Sequence, residues 1–318
     1  MTILLTVLTA AITFGQITTM KVTSPTKSVD NAPYDSLVNF VGENPSKYIG
    51  QELYLTGLSE SLRKYGYEGF FKDYKKDRPV NKPNVYQCCD GNNSKYDALN
   101  GKYFKVLDVI NHPKAKENES LYGSKFYLKL EEKESNDIVY YKYSSNYRYL
   151  FPFIVVGYFE KAKTKYIGLE YVLRGRNWVE GTPEMYDIQN GQSVDFSAGT
   201  TWKCVDFTIE EEYYQLSLIV ENSKGEQLAL SVDNILKGVY FAFPKVDSDK
   251  YRQEFGDENW DLILNGKTKI GMTKEMCTLS WGKPKSINKT TTSGKTSDQW
   301  VYEDNYLYFD NSILTAIQ

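Results

Sequence analysis

Up to about residue 246 the apolar positions fall in short runs that alternate with polar ones; from about residue 250 the period lengthens. The runs at 126–130, 138–141, 214–220 and 227–231 put apolar side chains at alternate positions. That spacing belongs to strands with one face on a core and one face toward solvent, as in antiparallel sheets. Polar stretches at 133–137 and 221–226 separate the members of each pair, so each pair reads as a hairpin.

The same order occurs twice. The segment 47–57 opens Lys47-Tyr48-Ile49-Gly50 and closes on Gly57, and it aligns with 165–175, which opens Lys165-Tyr166-Ile167-Gly168 and closes on Gly175. Further on, Gly101-Lys102-Tyr103-Phe104-Lys105-Val106-Leu107-Asp108 matches Gly199-Thr200-Thr201-Trp202-Lys203-Cys204-Val205-Asp206 in its aromatic, lysine, apolar pair and aspartate. Each match is followed by one of the hairpins. Self-similarity of this kind predicts two related small antiparallel β-domains, at 34–150 and 153–246, each closed into a roll or barrel that removes its exposed edges. The first carries an insertion at 58–100.

Beyond residue 250 the pattern becomes helical. Tyr251, Phe255, Trp260, Leu262, Ile263 and Leu264 predict a short helix over the second half of 251–265, stopped near Gly266. Thr273 is a good N-cap for a second helix at 274–281, although Met276 stands where a full capping box has Glu or Gln. Met272, Met276 and Leu279 share one face, Gly282 stops the helix, and Pro284 prevents its restart. Strands are predicted at 285–291, 298–303, 305–310 and 313–317, joined by tight turns into a meander. The fold class is therefore α+β, mostly β: two β-domains followed by a module of two helices on an antiparallel sheet.

The run Ile270-Gly271-Met272-Thr273, then Leu279, Gly282, Pro284, Trp300, Tyr302, Leu307, Phe309, Leu314 and Ile317 resembles the SmpA/OmlA (BamE-like) family, which shares its fold with the β-lactamase inhibitor protein modules. The resemblance covers 250–318. It implies two helices packed on an antiparallel sheet in a cell-envelope protein that works by binding other proteins. Gly271, Met272, Thr273, Trp281, Pro284, Trp300, Tyr302 and Tyr308 are the residues expected to define the module or meet its partner.

Residues 3–14 form an apolar run too short to span a bilayer and suited to the core of a secretory signal at 1–20, with cleavage near Gly15-Gln16. The run departs from the signal pattern in having no basic residue before it, and because no cysteine follows it a lipoprotein anchor is not expected. Residues 21–33 read as a polar linker. With no later transmembrane segment, the expectation is a secreted or periplasmic protein. The 27 tyrosines reinforce the β-rich reading, while a net charge of −3 without a basic stripe argues against nucleic acid.

Candidate chemistry is sparse. Cys88, Cys89, Cys204 and Cys277 lack zinc-ligand spacing and read as isolated, mostly buried thiols, a Cys88–Cys89 redox pair being the alternative. The single histidine, His112, reads as a loop residue. No phosphate-binding loop, nucleophile elbow, zincin or EF-hand motif occurs. Glu210-Glu211-Glu212, Asp247 and Asp249 read as solvated charge, and so do Lys72, Lys75, Lys76, Arg78 and Lys82, for which an anionic lipid or polysaccharide is the alternative. Tyr140, Tyr141, Tyr143, Tyr147, Tyr149 and Phe151 read as core or cross-strand aromatics, with sugar stacking as the alternative. The expectation is a non-catalytic, cofactor-free module that binds an envelope protein or serves a structural role. The alternative is a secreted carbohydrate-binding module or glycan hydrolase using the aromatic and acidic residues.

Overall fold

The structure, a computed structural model, describes residues 34, 36–77, 81–112, 125–175, 185–194, 197–211, 214–232, 242–292 and 295–318. The expected signal segment and linker lie outside them, as do Arg78 and Glu212.

The first sheet contains β1 (Glu52–Leu55), β2 (Phe70–Phe71), β5 (Tyr103–Asn111), β6 (Phe126–Glu132), β7 (Ile138–Tyr143) and β8 (Phe153–Val155). Their order is β2-β7-β6-β5-β1-β8, antiparallel throughout. The alternation seen in sequence is the burial pattern: Val139, Tyr141 and Tyr143 of β7 are buried while Tyr140 and Lys142 are half-buried. The predicted insertion belongs to this unit. It holds the short helices α1 (Glu60–Arg63) and α2 (Tyr96–Leu99) and a hairpin of β3 (Cys88–Asp90) and β4 (Asn93–Ser94). It also supplies β2, whose Phe70 sits in the core.

An 11-residue helix, α3 (Val156–Tyr166), leads into the second sheet. That sheet contains β9 (Glu170–Leu173), β10 (Thr201–Glu210), β11 (Gln215–Glu221), β12 (Gln227–Ser231) and β13 (Ala242–Pro244), in the order β12-β11-β10-β9-β13. With β2 set aside, this is the order of the first sheet. The matched sequence segments make the same backbone bonds in both. The Gly50 N–H donates to the Val106 carbonyl and the Gly168 N–H to that of Cys204, each at 2.8 Å. Gly101 donates to Leu55 at 3.1 Å and Gly199 to Leu173 at 2.9 Å. A bulge falls between Val106 and Asp108 in β5 and between Cys204 and Asp206 in β10. In each, the aspartate carboxylate accepts from the next N–H at 2.8 Å, so the shared aspartate caps a bulge.

Among the described residues, neither sheet closes into the expected roll or barrel. The edge strands β8 and β13 have three residues each, and the chain then turns straight into a helix, which ends the edge without closure. One core cluster nevertheless runs through both sheets, from Tyr48 and Phe104 to Trp202 and Leu230. The helix α3 had no counterpart in the sequence reading; it buries Tyr158, Phe159, Ala162 and Tyr166 at helical spacing.

The C-terminal module holds α4 (Lys245–Phe255), α5 (Asp257–Leu264), α6 (Lys274–Trp281), β14 (Ser286–Thr292), β15 (Lys295–Val301), β16 (Tyr306–Asp310) and β17 (Ile313–Ile317). The two predicted helices are α5 and α6, and α4 precedes them as an additional helix. The four strands form the predicted meander, with the second strand starting three residues earlier and ending two residues earlier than expected. Thr273 caps α6 by accepting from the Met276 N–H at 3.2 Å, and the Met276 sulfur accepts in return from the Thr273 N–H at 3.5 Å. The capping box thought to be incomplete is thus present in thioether form. Lys274 reaches from α6 to the buried Asp298 of β15 at 2.6 Å, tying helix to sheet.

The module joins the second sheet through Arg174, just after β9, which is 2% exposed. Its guanidinium donates to the carbonyls of Ile263 at 2.9 Å, Leu279 at 3.0 Å and Ser280 at 2.7 Å, in the last turns of α5 and α6. Among the described residues the Leu279 and Ser280 carbonyls have no main-chain donor, the Ile263 carbonyl also accepts from the Gly266 N–H at 3.0 Å, and all three carry the negative end of a helix dipole. Burial lowers the guanidinium to about 10, still charged at neutral pH. Replacing Arg174 with Met is expected to leave the buried Leu279 and Ser280 carbonyls unpaired and to destabilise the protein by about 3 kcal/mol, with Arg174→Lys intermediate. Urea unfolding followed by tryptophan fluorescence measures this; an unchanged midpoint for Arg174→Met would show that the junction does not rest on the guanidinium.

Candidate functional site

Most of the residues singled out in the C-terminal module turn out to be structural. Gly271 has a positive φ of 96° and donates to the Leu314 carbonyl at 2.9 Å. Met272 is buried, and Thr273 is the cap already described. Trp281 donates from its indole to the Gly266 carbonyl at 2.9 Å and meets Tyr302 edge-on at 5.4 Å, while the Tyr302 hydroxyl donates to the Gly282 carbonyl at 3.0 Å. Pro284 is half-buried just beyond this corner. Trp300 is core, its ring 4.7 Å from that of Phe309. The structure brings Trp281 and Tyr302 together and sets Trp300 on the helix-covered face.

Tyr308 is different. Leu307 and Phe309 point toward the helices, so Tyr306 and Tyr308 lie on the opposite, open face of β16. A polar ladder crosses that face. Asn288 of β14 donates to the Gln299 side-chain carbonyl at 2.9 Å. Gln299 of β15 donates to the Tyr308 hydroxyl at 3.0 Å, and Tyr308 donates to the Gln318 side chain at 2.8 Å. Asn288, Gln299 and Tyr306 were not picked out from sequence; the period-2 alternation around Trp300 and Leu307 was the available signal. Among the described side chains this face is largely polar, with two tyrosines. It can make hydrogen bonds and aromatic contacts.

A second cluster sits in the first unit. A cavity of about 90 Å³ is lined by Tyr67, Phe70, Asp77, Val85, Asn93 and Lys142, among others. That is room for a small cluster of waters. One Asp77 carboxylate oxygen accepts from the Tyr127 hydroxyl and faces His112 Nε2 at 3.3 Å and Lys142 Nζ at 3.5 Å. His112, expected to be an ordinary loop residue, is instead buried and stacked on Tyr127 at 5.3 Å. Burial raises the Asp77 carboxyl. The Tyr127 hydrogen bond, the Lys142 charge and His112 together outweigh burial, so the net shift is below the usual aspartate value.

Of the other candidates, Cys88 and Cys89 are joined as an adjacent disulfide in β3, which corrects the expectation of isolated thiols there. Cys204 and Cys277 are buried thiols pushed up to about 12 by burial. Glu210 bonds Gln215 and Ser217, Glu211 pairs with Arg63 at 2.9 Å, and Asp249 pairs with Lys245 at 2.6 Å, so these acids do not converge on one site. Lys72, Lys75, Lys76 and Lys82 are exposed. Tyr141, Tyr143 and Phe151 are core, whereas Tyr147 and Tyr149 are exposed with rings 5.4 Å apart. Among the described residues, no three His, Cys, Asp or Glu side chains are grouped to hold a metal ion, and no described helix is long and apolar enough to cross a membrane. No family model, curated protein or solved structure matches the chain.

The lowered Asp77 pKa makes the cluster a pH-dependent contributor to stability. A depressed carboxyl stabilises the fold fully above its unfolded value, near ~4, and loses that contribution as pH falls through the lower folded value. Asp77→Asn is therefore expected to lower the melting temperature at pH 6, with the gap to the unmodified protein narrowing as the pH falls below about 4. Thermal melts across that range decide it; a gap independent of pH would show that the Asp77 charge contributes nothing.

Proposed function

We propose that this chain is a non-catalytic module of a secreted or periplasmic envelope protein, and that the open face of its C-terminal sheet binds a protein partner. The carrying observation is the Asn288–Gln299–Tyr308–Gln318 ladder on a sheet whose other face is covered by helices. A face held by its own hydrogen bonds loses little conformational freedom on binding, and tyrosines supply large contact area with few rotatable bonds. The BamE-like pattern of 250–318 and the apolar run at 3–14 support the envelope setting.

Pull-down from envelope extract tests the reading. A Tyr306→Ala/Tyr308→Ala double variant changes only outward positions, unlike a change at Trp300, which would open the core. The unmodified chain should enrich a partner, and the double variant should lose about tenfold or more of it, the scale expected when central interface tyrosines are truncated. Equal enrichment by a folded double variant would remove this face from the function.

A second reading, carbohydrate binding by the first unit, is favoured by Tyr147 and Tyr149, 45% and 61% exposed with paired rings. The loop beneath them is anchored, because the buried Tyr141 donates from its hydroxyl to the Leu150 carbonyl. An exposed aromatic pair on a fixed loop suits stacking on sugar rings. Under this reading a glycan array gives binding that Tyr149→Ala abolishes; an empty array with the unmodified chain would end it.

A further inference from the structure

The two edges of the C-terminal sheet are treated differently. Along β17 the segment before α6 lies against the strand: Gly271 donates to Leu314 at 2.9 Å, Leu314 donates to Met272 at 2.8 Å, and Lys274 donates to Ser312 at 3.2 Å. Along β14 the only strand partner among the described residues is β15. At seven residues β14 is the longest edge strand in the three large sheets, against two for β2, three for β8 and β13, and five for β12 and β17. Its sequence, Ser-Ile-Asn-Lys-Thr-Thr-Thr, has no proline or glycine, and its register against β15 is unbroken. Residues 286–291 are exposed. Short length, proline, bulges and charged side chains, lysine above all, are the usual means of blunting an edge, and of these β14 has only Lys289.

What the edge does carry is positive charge. Lys289 lies opposite Asp298 in register, but that carboxylate is engaged by Lys274 at 2.6 Å, and Lys289 makes no ion pair among the described residues. Exposed Lys283 and Lys285 precede the strand, the latter paired with Glu303 at 2.8 Å, and no acidic residue occurs within 286–292. Pairing with β14 of a second copy would set two cationic strands side by side, which like-charge repulsion disfavours.

We propose that β14 takes an acidic, extended segment of a protein partner as a fifth strand of the C-terminal sheet. This rests on the protein-binding reading above and adds its mode and chemistry. Main-chain hydrogen bonds to the open edge supply affinity, and side-chain alternation supplies selectivity. Ile287 and Lys289 share one face of β14, so the incoming strand carries an apolar residue and a carboxylate two positions apart on the matching face.

Selection of displayed random nonapeptides on the full chain, followed by affinity measurement with the enriched peptides, tests this. The expected peptides are acidic and alternate as described, and they slow hydrogen exchange of β14 amides. Lys289→Glu should weaken them at least tenfold while leaving the circular dichroism spectrum unchanged. Peptides insensitive to Lys289→Glu but lost in Tyr306→Ala/Tyr308→Ala would overturn the edge proposal and leave the open-face reading standing. Enrichment of no peptide, together with an empty pull-down, would overturn both. Self-association that protects β14 and disappears in Asn288→Pro or Lys289→Pro would assign the edge to a second copy and overturn the acidic partner.

Discussion

Three main-chain carbonyls from two helix ends converge on one buried guanidinium, and the arrangement of the whole C-terminal half depends on it. Arg174 leaves β9 at the end of the second sheet and is received by the last turns of α5 and α6. Helix C-termini are costly to bury because their last carbonyls have no internal donor. A single planar cation with several donors satisfies two of them, bonds the Ile263 carbonyl as well, and opposes both helix dipoles at once. Gly175, which follows, eases the close approach. A Cβ there would stand 3.0 Å from the Asn265 side-chain oxygen and 3.3 Å from the Ala198 Cβ, and the Gly175 N–H itself donates to the Leu264 carbonyl at 2.8 Å. Arginine and glycine together let the module approach the sheet at backbone distance.

The matched residue in the first unit has a related role. Gly57, the closing glycine of the first repeat, faces the Glu211 carboxylate of the second unit, and that carboxylate is held by Arg63 at 2.9 Å. Each closing glycine thus marks the place where the next unit comes up against the sheet. The repeat is therefore more than two similar sheets. Tyr-Ile-Gly starts the first strand, the bulge aspartate shapes the second, and the last glycine leaves room for the neighbour. Leu107 and Val205, the bulge residues, are each 36% exposed, so the likeness extends to the surface.

What sequence could and could not show follows from the distance over which each feature acts. The Thr273 cap, the Gly282 stop and the strands at 306–310 and 313–317 are set by neighbours within a few residues, and they were legible. The thioether half of the capping box was not, because a sulfur acceptor replaces the usual carboxylate or amide. Helix α3 carried a legible pattern in Tyr158, Phe159, Ala162 and Tyr166, but it starts directly from strand β8 and its residues were absorbed into the strand region. Helix α4 carried a pattern in Tyr251 and Phe255, four residues apart and packed on the module's core, but these counted toward the single helix expected over the second half of 251–265. The Arg174 partners lie 89, 105 and 106 residues away, beyond any local spacing argument. The same holds for His112 and Asp77, 35 residues apart, brought together by the burial of Tyr127 between them.

The candidate site shifted for a related reason. Glycines, caps and large apolar residues stand out in a sequence because they are unusual locally, and that is how structural demands announce themselves. Gly271, Met272, Thr273, Trp281, Tyr302 and Trp300 stood out and are occupied in holding the module together. Residues free to meet a partner are those the fold does not consume, and in a half-buried sheet they occupy the alternate positions. Asn288, Gln299 and Tyr306 are unremarked in sequence because their chemistry is ordinary; their value comes from being set side by side on adjacent strands. Tyr308 belongs to both sets, prominent as an aromatic and left outward by the register of β16 against β15. An outward face made this way is specified by the core beneath it. Trp300, Leu307 and Phe309 fix which residues face out, so the residues that identify the fold also determine what it can present.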